Sequence, residues 1–210
     1  MNAYNMNAGI PVLFRTYASR KQSSIPCTVW QAARATSAAP TFFERVYIGS
    51  ASRRQPYIDG GVGRNNPTAQ VLEEAEAEFP GRRIACVISI GTGKLAIINL
   101  PKPHFFQNVV ATHVIKAMVA IATDCEKTAE EMEKKFKDKP KTYFRFNVEQ
   151  GLQDVKLGDW NRMDEVFAHT AQYMKISEVD QRLATAVQVI REAKGAIQTS
   201  AISMEQELLC

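Results

Sequence analysis

The residues best placed to do chemistry lie in the stretch QPYIDGGVGRNNPTAQ, residues 55 to 70. Asp59 closes a short apolar run, with Gly60 and Gly61 directly behind it and Gly63 two residues on. A carboxylate there would be costly to bury without a partner. Glycines leave room where another group must come close. Two readings follow. In the first, Asp59 is a turn former, a common role for aspartate before glycine. In the second, it is a carboxylate at the end of a sheet strand, where α/β active sites gather, and it takes a proton from a hydroxyl. Spacing alone leaves both open.

Other candidate motifs fail on their details. SIGTGK resembles a phosphate loop, but Ile88 stands where the first glycine is required, so a strand followed by a tight glycine turn is the better reading. GVGRNN places Asn66 where the third glycine of a dinucleotide fingerprint belongs. His104, His113 and His169 form no set, and no Ser-His-Asp triad follows from their spacing. No Gly-x-Ser-x-Gly elbow occurs: the residue two after each glycine is never serine. Cys27, Cys86, Cys125 and Cys210 contain no CxxC pair and no histidine at zinc spacing, which indicates free thiols in a reducing compartment. No metal site or cofactor is expected.

The elements that must hold Asp59 are legible as an alternation. PVLFRTY reads as a strand, and TVWQAARATSAA as a short helix capped by Thr28 and stopped by Pro40. TFFERVYI and QPYI read as strands joined by GSASRR. Asn66 then Pro67 opens a helix with Val71, Leu72, Ala75 and Phe79 on one face. IACVISI is a continuous apolar run, as expected of a strand covered on both faces. A helix is expected from near Asn108 past Met132, with Cys125, Ala129, Met132 and Phe136 on one face. TYFRFNV alternates, with Phe144, Phe146 and Val148 on one side. Two helices follow, the last with a Ser177–Asp180 capping box and apolar Leu183, Val187 and Ile190. The order predicts an α/β fold: a partial three-layer αβα sandwich with a largely parallel sheet over 1–150, then a helical C-terminal section over 151–210.

Composition narrows the partners. The net charge is +4 with 26 Lys and Arg against 22 Asp and Glu, and no long basic block occurs, so no nucleic-acid partner is expected. A weak attraction to anionic lipid is compatible with this charge. The N-terminus has no basic region followed by a long apolar core, and VVATHVIKAMVAIA is too short for a span and contains His113 and Lys116. A cytoplasmic protein, at most peripheral at membranes, is expected.

Three ordered pieces, TVWQAARATSAAPTFF, YIDGGVGRNNPTAQVLEEA and VISIGTGK, resemble the C-terminal half of a patatin-like phospholipase domain of the fungal type. The resemblance continues into TYFRFNVEQGLQDVKLGDW and covers about residue 12 to about residue 175. It implies a serine acyl hydrolase on an αβα sandwich, with a Ser–Asp dyad and a lipid or phospholipid ester substrate. Asp59 matches the family's proton acceptor, with Gly60 and Gly61 completing its Asp-Gly-Gly motif. The family carries its oxyanion loop and nucleophilic serine upstream of this region, and this sequence has neither. The expectation is a truncated acyl hydrolase holding half of the dyad. The alternative is a catalytically inactive remnant that binds or regulates.

Overall fold

The computed structural model describes residues 1–20, 25–40, 42–94, 125–155, 158–192 and 197–199. The expected helix over 108–124, with His104 and His113 nearby, and Cys210 lie outside them. The chain is an α/β protein of two compact units, Met1–Pro67 with Leu100–Thr128 and Thr68–Asn99 with Ala129–Cys210.

The first unit holds a four-stranded sheet in the order β2-β1-β4-β3, from β1 (Asn2–Asn5), β2 (Ile10–Leu13), β3 (Val46–Ile48) and β4 (Gln55–Asp59). Every pairing in it is antiparallel. Two of the three pairings, β1 with β2 and β3 with β4, are hairpins, and strands joined by short turns run in opposite directions. β1 turns into β2 through Gly9, and β3 into β4 through Gly49, whose φ of +124° would strain any side chain. The helix α1 (Val29–Thr36) begins with a capping box: the Thr28 hydroxyl accepts from the Gln31 N–H, and Gln31 Oε1 accepts from the Thr28 N–H at 2.9 Å. Ala32 and Ala35 let α1 lie close on Ala3, Ile48 and Tyr57, and the Phe14 ring meets Tyr57 edge-on at 5.5 Å.

A short helix α2 (Gly61–Arg64) separates β4 from α3 (Thr68–Glu78). The expected helix after Asn66 and Pro67 is therefore present. Leu72 is its buried contact, while Val71 and Phe79 are exposed.

The second unit is layered. β6 (Val87–Ile90) pairs in parallel with β7 (Tyr143–Phe146), and residues 125–135 form α4 in the crossover between them. On one face Leu72, Met132 and Phe136 pack with Val87 and Tyr143. Of the expected face, Ala129, Met132 and Phe136 are buried and Cys125 is half-buried. On the other face Phe144 and Phe146 meet Val179 and Ala186 of α6 (Ser177–Glu192). The helix α5 (Met163–Met174), entered by a 3-10 turn at Trp160–Arg162, contributes Tyr173 and Met174 to that cluster. A two-stranded antiparallel sheet pairs β5 (Arg83–Ile84) with β8 (Ile197–Gln198).

Several expectations need correction. Parallel pairing is confined to β6 and β7 among the described strands. IACVISI splits into β5 and β6, and it is not covered on both faces: Ile90 is 78% exposed because α6 lies over β7 and leaves the β6 row open. The inward face of α6 is Val179, Leu183, Ala186 and Val189, while Val187 and Ile190 face solvent. Its capping position falls on Ile176, whose carbonyl accepts from Asp180, so Ser177 is already helical. β1 has no counterpart in the sequence reading.

The two strands of the parallel pair should respond differently to truncation. Phe144→Ala is expected to cost about 3–5 kcal/mol of unfolding free energy. Ile90→Ala should stay within about 0.5 kcal/mol of wild type. Urea denaturation of both variants checks this, and a large loss at Ile90 would show that its row is covered.

Candidate active site around Asp59

Asp59 is the last residue of β4, a strand with neighbours on both sides. In register it faces Ala3 of β1, and its N–H donates to the Ala38 carbonyl at 3.1 Å, just past the end of α1. One neighbouring strand and the segment just past α1 thus hold its backbone. Alternation along β4 puts the Asp59 side chain on the same face as Tyr57, the face that α1 covers. The carboxylate is half-buried.

Its Oδ1 accepts a hydrogen bond from the Gly61 N–H at 2.7 Å. This is an Asx turn, the contact expected of a turn-forming aspartate. Among the described residues no other hydrogen bond reaches the carboxylate, so Oδ2 is uncommitted. The turn role is therefore occupied by one oxygen and leaves the other for chemistry. The nearby serine in the chain path, Ser37, does not use it: its hydroxyl donates to the Ala33 carbonyl at 2.9 Å.

The glycines behind Asp59 are required for different reasons. Gly60 has φ −66° and ψ −14°, an ordinary helical backbone. What it needs is room. A Cβ there would overlap the Asn2 carbonyl oxygen and lie 2.7 Å from its carbon. At Gly61 a Cβ would sit 3.2 Å from Asp59 Oδ1 and 3.4 Å from Asn65 Oδ1, both at side-chain ends. Asn66 is buried and its amide donates to the Cys125 carbonyl at 3.3 Å, which ties the end of the motif to a residue of the same unit. Sequence reasoning found Asp59, Gly60 and Gly61 but missed Asn2. The available signal was the alternation in Asn2–Asn5, where Ala3 and Asn5 are buried.

The remaining candidates are accounted for structurally. After β6, Gly91 and Lys94 donate to the Phe146 and Val148 carbonyls, and Gly93 donates to Asn147 Oδ1 at 2.8 Å. SIGTGK is thus a turn pinned to β7, with its backbone donors spent on protein. Burial pushes the Cys27 and Cys86 thiols up, so neither is an activated nucleophile. Among the described residues no cluster of His, Cys, Asp and Glu could hold a metal ion, and no helix is long and apolar enough to cross a membrane.

The family model that matches the chain covers this stretch. Residues 4–72 match the family model for patatin-like phospholipase. The calcium-independent phospholipase A2-gamma of Mus musculus is 27% identical over 173 residues, covering 81% of this chain and 21% of that protein. The Homo sapiens protein of the same name is 26% identical over 176 residues, covering 81% and 20%. Phospholipase A I of Arabidopsis thaliana is 39% identical over 67 residues, covering 32% and 5%. The chain spans about a fifth of the length of the calcium-independent relatives. No solved structure matches significantly.

The two glycines should tolerate substitution unequally. Gly60→Ala must displace the β1 backbone and is expected to lose about 1–3 kcal/mol. Gly61→Ala meets only side-chain ends, and alanine's helix preference of about 1 kcal/mol over glycine offsets the crowding. Paired chemical denaturation curves decide this, and equal losses at both positions would contradict the close approach of Gly60 to Asn2.

Proposed function

We propose that the chain is part of a patatin-like phospholipase domain and that Asp59 is the proton acceptor of a Ser–Asp dyad that hydrolyses lipid esters. Gly60 and Gly61 complete its motif. The serine and the oxyanion donors are supplied from outside these 210 residues, which contain no Gly-x-Ser-x-Gly. In this reading the serine hydroxyl attacks the ester carbonyl while Asp59 Oδ2 takes its proton. Backbone N–H donors hold the developing oxyanion, the ester C–O bond breaks as the leaving alcohol takes the proton from Asp59, and water, deprotonated in turn by Asp59, then hydrolyses the acyl-serine. The Gly61 N–H keeps the carboxylate oriented throughout. The dyad needs no metal, which agrees with the name calcium-independent carried by several relatives.

The observation that supports this most is the division of labour on Asp59: one oxygen on the Gly61 N–H, the other uncommitted, at a strand end within the family-matched stretch. The same reading takes residues 1–150 as the C-terminal portion of a patatin-like domain and 151–210 as its helical extension. That extension is packed on the sheet, because Val179 and Ala186 of α6 meet Phe144 and Phe146 of β7. The missing elbow favours a second reading, a non-catalytic binding or regulatory module.

The test joins this chain to a patatin-type Gly-x-Ser-x-Gly segment and compares ester hydrolysis by the parent and by Asp59→Asn. The amide oxygen can still accept from Gly61, so the melting transition should persist. It cannot take the serine proton, so the rate should fall about a hundredfold to ten-thousandfold. Similar rates in the two would assign Asp59 to the turn alone. The 210-residue chain by itself should show no turnover above background, and no serine in it should label with a fluorophosphonate probe. Site-specific labelling would show that another serine has taken the role.

A further inference from the structure

α1 buries Ala32 and Ala35 and turns a different set of side chains outward. Val29 and Trp30 are exposed at its first turn. Arg34 follows Trp30 by four residues, so the two share a helix face. The Arg34 guanidinium lies over the Phe43 ring, 5.3 Å from its centroid, and donates to the Glu44 carbonyl at 3.2 Å. Residues 42–44 are thereby tied to the helix, with Phe42 47% and Phe43 57% exposed. Trp30, Arg34, Phe43 and Phe42 form an aromatic surface with a cation set in it. It adjoins the candidate site, because the Ala38 carbonyl at the end of α1 accepts the Asp59 N–H.

Large apolar side chains grouped on a surface mark a place where something binds. Charge says what. Residues 1–67 carry eight Lys and Arg against two Asp and Glu, a far stronger positive balance than the +4 of the whole chain. Exposed tryptophan and phenylalanine beside arginine is the side-chain chemistry that seats at headgroup level, and surplus basic charge draws a protein to anionic lipid. We infer that the outward face of α1, with Phe42 and Phe43, seats this unit on an anionic lipid surface, with the Asp59 strand end beside the contact. The choice of a lipid occupant rests in part on the proposed function, since a lipid-ester hydrolase must reach its substrate in an aggregate.

The experiment measures partition, not hydrolysis, so its failure would leave the assignment of Asp59 untouched. The 210-residue chain with Trp160→Phe keeps Trp30 as its one remaining tryptophan. It is mixed with phosphatidylcholine vesicles, with and without about 30 mol% phosphatidylserine. The chain should sediment with the phosphatidylserine vesicles and its Trp30 emission should shift to the blue. Raising salt from about 0.1 to about 0.5 M should weaken the partition. Adding Phe42→Ser and Phe43→Ser should lower it at least about fivefold, with circular dichroism unchanged. Should that pair unfold the chain, the Trp30 shift on the folded parent still decides. No partition, an unmoved Trp30 emission, or undiminished partition in the folded Phe42→Ser/Phe43→Ser chain would overturn the inference. So would self-association without vesicles that the same substitutions abolish, which would assign the face to a second copy, or loss of partition once the Gly-x-Ser-x-Gly segment is joined, which would assign the face to that segment.

Discussion

The close approach of Gly60 to the Asn2 carbonyl is the constraint on which the site depends. β4 can end beside β1 only because residue 60 has no side chain. That approach sets where the chain leaves the sheet, and the departure brings the Gly61 N–H under Asp59 Oδ1 at 2.7 Å. The pairing of Asp59 with Ala3 and its N–H bond to Ala38 fix the same strand end from β1 and from α1. The carboxylate is thus aimed by backbone contacts from three directions, with no charged partner among the described residues. Such an arrangement keeps one oxygen available while the other is held, which suits the base proposed here.

Much of this was legible in the sequence because local chemistry decides it. The Thr28 cap, the α4 face from Ala129 to Phe136 and the alternation through Phe144, Phe146 and Val148 are dictated by spacing and reappear as buried contacts. Asp59, Gly60 and Gly61 stand out as a group in the sequence. The reason for Gly60 did not, because the atom it avoids belongs to Asn2, fifty-eight residues away in sequence. Tertiary packing also decided the errors. IACVISI is apolar throughout, yet α6 covers only the β7 side of that face, and Ile90 is left open. In α6, Val187 and Ile190 fit a helical period as well as Ala186 and Val189 do, and only the position of Phe144 and Phe146 selects between them.

The charge of the chain carries a similar lesson. A net +4 argues for little when spread over 210 residues. The surplus is concentrated in the stretch that holds Asp59 and the exposed aromatic residues Trp30, Phe42 and Phe43. The proposed base and the proposed lipid-facing aromatic residues fall on the same compact unit, so the two proposals place a carboxylate and a surface contact together without a further element.

The most direct measurement is the crystal structure of this chain joined to a Gly-x-Ser-x-Gly segment and trapped with a phosphonate on the serine. The account predicts the serine Oγ within about 2.6–3.2 Å of Asp59 Oδ2, with Oδ1 still on the Gly61 N–H. A serine held by a different base, or Asp59 with both oxygens bound to backbone donors, would contradict it.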